Sequence, residues 1–342
     1  MDREDSMDRE DGAGLLRQAG LWSGGHRRLT GCRPGGSPDS HETGAVAKGA
    51  VMADPAQVAR SMWTLFEPIH AVTYFTPEAR AAYEEQGLHG FWRGYFAGRA
   101  APLGPAGAAV VTASFYNFAP AMVARAIPAV WELSSPGKAL RARQAGATAA
   151  LRRLLAGRDK ETAAVADQLA RVAAGLDCAG RVLAAANTAL PGPGHALADT
   201  DIALARLWQA ATALREHRGD GHFAAMAAAD IDGCETLVLR CALDMRREDI
   251  QPIRGWTDEQ WDAAQARLTD RGLIGPDGEI TDAGRAAHAA VEEATDRAAA
   301  RPWERLGWSA TADIADALLP VAQACATAIP YPSPIGVPAP GA

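Results

Sequence analysis

From Pro55 onward, over about 190 residues, apolar side chains recur at three- and four-residue spacing and alanine fills most of the positions between them. A chain written this way buries its apolar stripes by packing helix on helix, which leaves little room for a sheet. Propensity agrees with periodicity, because Ala, Leu and Arg dominate and lose little side-chain freedom in a helix. Punctuation at Thr76-Pro77, Pro102-Leu103-Gly104-Pro105, Ser134-Ser135-Pro136-Gly137 and Pro191-Gly192-Pro193-Gly194 cuts the run. The spacing predicts helices over 55–70, 77–86, 88–98, 106–115, 119–127, 136–156, 160–175, 179–188, 199–217 and 222–229. Thr76 is expected to cap the second of these with its oxygen, with Pro77 in the first turn and Glu78 near the positive end of the dipole.

A strand signal comes only late. After helices at 233–245 and from Thr257, residues 268–281 read as helix end, short strand, tight turn and short strand. Gly272 supplies a left-handed helix stop, Pro276-Asp277-Gly278 a turn, and Thr281 or Asp282 the cap of a helix running to about Arg301. The expected fold is mainly α: an all-helical N-terminal lobe over 53–220, a winged helix-turn-helix C-terminal lobe with a small two-stranded wing over 221–300, and a closing helix and Pro-rich tail over 301–342. Residues 1–51 differ in kind, opening with the paired hexapeptides MDREDS and MDREDG and continuing Gly- and Arg-rich. With few periodic apolar positions and no signal-peptide core, they are expected to be a disordered extension, and Met52 is a second candidate for the natural start.

The 41 acidic and 34 basic side chains leave a formal charge of -7, which removes the whole-molecule basic field of a non-specific nucleic-acid binder. No apolar run is long enough to span a bilayer, so no membrane partner is expected. The five cysteines (Cys32, Cys178, Cys234, Cys241 and Cys325) are scattered and form no C-x-x-C pair, as expected of a cytoplasmic protein. Cys234 and Cys241 read as small core hydrophobes.

Arg271-Gly272-Leu273-Ile274, Asp277-Gly278, Ile280-Thr281 and Gly284-Arg285 resemble the wing of multiple-antibiotic-resistance-type regulators, where a recognition helix precedes such a strand and turn. More of the chain, roughly 55–335, resembles an actinobacterial family labelled helix-turn-helix, through His70-Ala71-Val72-Thr73-Tyr74-Phe75, residues 94–104, Phe115-Tyr116-Asn117-Phe118 and Arg215-Glu216-His217-Arg218-Gly219-Asp220-Gly221-His222. The resemblance implies a shared fold and brings no settled chemistry. It also implies a transcription regulator, against which stands charge: residues 257–297 hold ten acids and four bases. Asp258, Glu259 and Asp262 would face a duplex carrying about one negative charge per 1.7 Å, so DNA is a disfavoured partner.

Two polar constellations interrupt the helical lobe. At 215–222, Gly219 and Gly221 are expected to break the helix and direct His217, Asp220 and His222 toward one point, a ligand set for a divalent metal; the bland alternative is a corner held by salt bridges and caps. His70 lies on an apolar helix, in the company of Tyr74, Tyr95, Arg99 and Asn117 and of Phe91, Phe115, Tyr116 and Phe118. These residues read either as core or as a pocket in which Arg99 receives an anionic group and His70 titrates near neutral pH. Arg141, Arg143, Arg152, Arg153 and Arg158 read as a solvated helix face.

No phosphate loop, zincin, nucleophile elbow or dinucleotide fingerprint is present in the sequence. The expected function is a small-molecule-binding protein of regulatory type. Its ligand, anionic in one version, would be held by His70, Tyr74, Arg99 and Asn117 or by Arg215, His217, Asp220 and His222. The alternative is an enzyme, metal-assisted through His217, Asp220 and His222. Assembly into a homo-oligomer stays open.

Overall fold

The computed structural model describes residues 54–190 and 199–340. The expectations for 1–51, Met52, Cys32 and the break at 191–194 lie outside these residues. Asp54 accepts the Ala56 amide and Pro55 fills the first turn, so α1 (Pro55–Phe75) starts where the pattern starts and runs one turn past the expected end. There follow α2 (Pro77–Glu84), α3 (Phe91–Ala100), α4 (Ala108–Ser114), α5 (Pro120–Ala126), α6 (Val130–Leu133), α7 (Pro136–Leu154), α8 (Asp159–Ala174) and α9 (Val182–Thr188). The chain then forms α10 (Asp199–Ala228), α11 (Gly233–Leu243), α12 (Arg247–Arg254), α13 (Asp258–Asp270), α14 (Asp282–Leu306) and α15 (Trp308–Ala326). Thr76 does not cap α2: its hydroxyl donates back to the Val72 carbonyl at 2.8 Å, satisfying the end of α1 instead.

The expected break at Gly219 and Gly221 is absent, and α10 is one continuous helix through both. A glycine costs only about 1 kcal/mol relative to alanine inside a helix, and packing here outweighs it. A Cβ on Gly221 would lie 2.6 Å from the Arg181 guanidinium and 3.5 Å from Ala298 Cβ of α14, so the glycine permits a close crossing. The lobe boundary at 220/221 therefore falls inside a helix, and that at 300/301 falls inside α14. Both helices serve two cores. α10 buries Leu207, Trp208, Ala211 and Leu214 with α1, α7, α8 and α15, and Met226 with α11 to α13. α14 places Val291 in the second of these cores and Ala299, Ala300 and Trp303 in the first. A further aromatic core, Phe96, Phe115 and Phe118, closes α3 to α5.

In the C-terminal lobe, α11 and α13 start with reciprocal capping boxes, Asp232 with Glu235 and Thr257 with Gln260. Gly272 (φ 69°) stops α13 and Thr281 caps α14, as expected. The two-stranded wing does not form: one antiparallel bridge joins Ile274 to Ile280. Pro276-Asp277-Gly278 takes up the space between them and leaves too few residues for a ladder.

Tight local packing joins this lobe to the aromatic core. The Tyr116 hydroxyl donates to the Ile231 carbonyl at 2.7 Å, and Trp256 Nε1 donates to the Asn117 carbonyl at 3.0 Å. A Cβ on Gly233 would lie 2.0 Å from the Tyr116 carbonyl oxygen, so only glycine allows this approach.

Candidate functional site

Between the helical lobe and α11 to α13 lies a cavity of about 410 Å³, within the usual range for small-molecule sites. Helical spacing explains its wall: Arg60, Trp63 and Glu67 lie on one face of α1, and Arg215, Arg218 and His222 on one face of α10. Tyr95 and Arg99 come from α3, Phe115, Asn117 and Phe118 from the connecting segment, and Thr236, Leu237, Ile250 and Arg254 from the C-terminal lobe. His288, Val291 and Glu292 of α14 close one side, and Pro334 to Gly336 of the tail another.

The inner end is dominated by guanidinium groups. Arg215 Nη1 donates to Glu216 Oε2 at 2.9 Å and its Nε faces Glu67 Oε1 at 3.4 Å. Arg99 Nη1 donates to the Tyr95 hydroxyl at 3.0 Å, while its Nη2 stands 3.6 Å from Glu216 Oε2, an ion contact without a hydrogen bond. Arg99 also lies over the Phe115 ring at 4.1 Å, and Arg254 over the Phe118 ring at 4.8 Å. Burial opposes the charge on Glu216, yet Arg215 and Arg99 outweigh it and hold the carboxyl below its ordinary range. Burial alone would lower Arg99, and Tyr95 and Glu216 reverse that, so it stays charged. Arg99 is 7% exposed, and its Nε and Nη2 have no hydrogen-bond partner in the protein; the same holds for Arg254 Nε and Asn117 Oδ1.

The other end is an ion-pair network in which Arg218 Nε is left buried without a hydrogen-bond partner. Arg218 donates to Asp296 Oδ1 at 2.9 Å, Arg60 to Asp296 Oδ2 at 2.6 Å and to Glu292 Oε2 at 2.9 Å, and Arg218 stacks over Trp63 at 4.3 Å. His222 Nδ1 meets the Thr295 hydroxyl at 2.9 Å and faces Glu292 at 3.7 Å. Burial pushes His222 down to about 4, with Glu292 opposing, so the ring is neutral at pH 7.

Five of the expected ligand residues thus converge on one cavity: Tyr74, Arg99, Asn117, Arg215 and His222. His70 does not reach it. The ring is locked between Thr212 Oγ1 and the Tyr74 hydroxyl, 2.9 Å from each, and touches the cavity only through Tyr74. Burial, then the charges of Arg215, Arg99 and Arg143, hold His70 well below its ordinary value, so it does not titrate near neutrality. Burial likewise raises the Tyr74 hydroxyl, which stays protonated as a donor.

His217, Asp220 and His222 do not converge, because on an unbroken helix residues five apart point in different directions. His217 faces a separate hollow with Arg181 and Arg301, and burial and Arg181 push it down to about 4. Asp220 accepts the Ala184 amide at 2.9 Å in the first turn of α9, and burial raises it to about 6. Among the described residues no group of three His, Cys, Asp or Glu side chains is placed to hold a metal ion. Arg143 also departs from the solvated face expected for it. It is buried over Trp208 and donates to the Gly98 carbonyl and Asn187 Oδ1.

Sequence reasoning missed Glu67, Trp63, Arg218 and Arg254. Glu67 carried a readable signal, a lone carboxylate amid Leu65, Phe66 and Ile69. Arg254 carried none, since its neighbours Phe118 and Pro334 come from segments 80 or more residues away.

A family model described as a helix-turn-helix family matches residues 59–332, and the chain belongs to that family. No curated protein and no solved structure matches it. No helix among the described residues is long and apolar enough to cross a membrane.

Proposed function

We propose that this helix-turn-helix family member is a small-molecule-binding protein of regulatory type, with its ligand in the cavity between the helical lobe and the helix-turn-helix segment. One observation carries the reading: the cavity takes Arg99, Tyr74 and Arg215 from one lobe and Leu237, Ile250 and Arg254 from the other. A molecule touching both lobes has different affinities for different arrangements of them, the requirement for a ligand to shift a conformation. The surplus of guanidinium groups favours an anion. Free Cys178, Cys234, Cys241 and Cys325 fit a reducing, cytoplasmic setting.

The helix-turn-helix segment would act by contact with another protein more readily than with DNA. The start of α13, where such motifs read bases, exposes Asp258, Glu259 and Asp262, and its nearest base, Arg247, is already paired with Asp258 and Asp262 at 2.8 and 3.0 Å.

The test is a melting screen against benzoate, 4-phenylbutyrate, decanoate and phenyl phosphate, run on wild type and Gly219→Leu. Gly219 lines the cavity and a Cβ there has nothing closer than Glu216 Oε2 at 4.0 Å, so leucine fills the space while improving helix propensity. At least one acid is expected to raise the wild-type melting temperature and not that of Gly219→Leu; no shift with any of them contradicts the reading.

A further inference from the structure

We propose that Arg99 and Arg254 form a two-armed clamp, one arm from each lobe, for the single carboxylate of a ligand whose remaining body is apolar. The inference rests on the cavity being a ligand site and adds its chemistry. Three guanidinium groups, Arg99, Arg215 and Arg254, share the inner end with two carboxylates, Glu67 and Glu216. Arg215 takes up both carboxylates, and Arg99 reaches Glu216 only at 3.6 Å. Arg254 is offered a neutral acceptor alone, the Pro334 carbonyl at 3.2 Å. One positive charge is therefore left without a counter-charge beside buried donors, where charge-assisted hydrogen bonds are strongest.

At this end the donors that remain belong to these two residues; Arg218 Nε, also buried without a partner, lies at the other end of the cavity. Arg99 Nε and Nη2 and Arg254 Nε are buried without a hydrogen-bond partner. Their planes are set by adjoining rings, Phe115 under Arg99 and Phe118 under Arg254, with ring centroids 6.5 Å apart. Two like charges held near each other repel, and the proton affinity of the half-buried Arg254 is lowered first by desolvation and then by the charges of Arg99 and Arg215. A carboxylate between them removes that repulsion, balances the single surplus charge and matches the flat fork of each guanidinium. A phosphate monoester would bring a second negative charge that nothing at this end balances. Beyond the clamp Leu237, Ile250, Met226 and Val291 offer apolar wall beside the paired charges of Arg60, Arg218 and Glu292, and the rest of the ligand is placed against them.

The test is calorimetric titration with 4-phenylbutyrate, 4-phenylbutan-1-ol and phenyl phosphate. The alcohol keeps the apolar body and drops the charge. The acid is expected to bind wild type at least about tenfold tighter than either other probe. Arg254→Gln should lose about tenfold or more for the acid and leave the alcohol within about twofold. The wild-type comparison needs no variant and so stands even if Arg254→Gln folds poorly. Equal binding of acid and alcohol, with both blocked by Gly219→Leu, would overturn the clamp and leave the cavity reading intact. Tighter binding of phenyl phosphate would overturn the carboxylate assignment, and binding of no probe would overturn clamp and cavity reading together.

Discussion

The same two side-chain chemistries, guanidinium and carboxylate, are arranged in opposite ways at the lobe junction and on the outer face of α13. At the junction, Arg99, Arg215 and Arg254 outnumber Glu67 and Glu216, with Arg99 stacked on Phe115 and Arg254 on Phe118. On the outer face, Asp258, Glu259, Asp262 and Asp270 stand in solvent, with Arg247 held against Asp258 and Asp262. Charge in a low-dielectric interior interacts strongly with whatever enters, whereas exposed charge is screened within about 8 Å at physiological salt. The contrast puts the surplus of guanidinium groups inside the protein, at the proposed anion site, and leaves carboxylates on the surface expected to meet DNA.

The contrast is sharpest if one buried carboxylate is removed. Glu216→Ala deprives Arg215 and Arg99 of their shared partner and leaves uncompensated charge in the interior, and a loss of about 3–5 kcal/mol is expected in urea unfolding. A loss below about 1 kcal/mol would mean that water reaches these groups freely and that the two regions do not differ.

Acid provides a second, smaller lever. His217 and His222 titrate at about 4 in the fold against 6.5 ordinarily, so the unfolded chain takes up their protons first. Their contribution is complete above about pH 6.5 and is lost as pH falls toward 4, with an upper bound of about 3 kcal/mol for each. Asp220, raised from 3.8 to about 6, works the other way, since its contribution is full below 3.8 and fades as pH rises through 6. Unfolding midpoints measured from pH 7 to 4 should fall for wild type, fall less for His222→Gln and fall further for Asp220→Asn. A midpoint that rises on acidification would contradict the neutral, buried state of the histidines.

The outer face should respond least in stability and more visibly in binding. Asp262→Ala is expected to change stability by less than about 1 kcal/mol. Gel shifts on duplex DNA should show no retention for wild type even at low salt, while Asp258→Lys with Asp262→Lys should produce weak retention that salt abolishes. Firm wild-type binding at low salt would break the comparison from its outer side.

Much of this arrangement was legible in the sequence, because periodicity and caps are local. α7 begins at Pro136 as read, Gly272 stops α13, and Thr281 opens α14. Tyr74, Arg99, Asn117, Arg215 and His222 stood out as polar interruptions of apolar helices, and they share one cavity. What stayed hidden depends on partners distant in sequence. Gly221 looks like a helix breaker until Arg181 and α14 are seen against it, and Arg143 looks solvated until Trp208 and Asn187 enclose it. Arg254 gains its meaning from Phe118 and Pro334, which no local pattern links to it.

Hydrogen exchange of wild type with and without saturating 4-phenylbutyrate tests most directly whether the two lobes share one anion site. The expected result is slowed exchange in both 95–118 and 237–256, on either side of the cavity. Slowing confined to one lobe, or to neither, would contradict it.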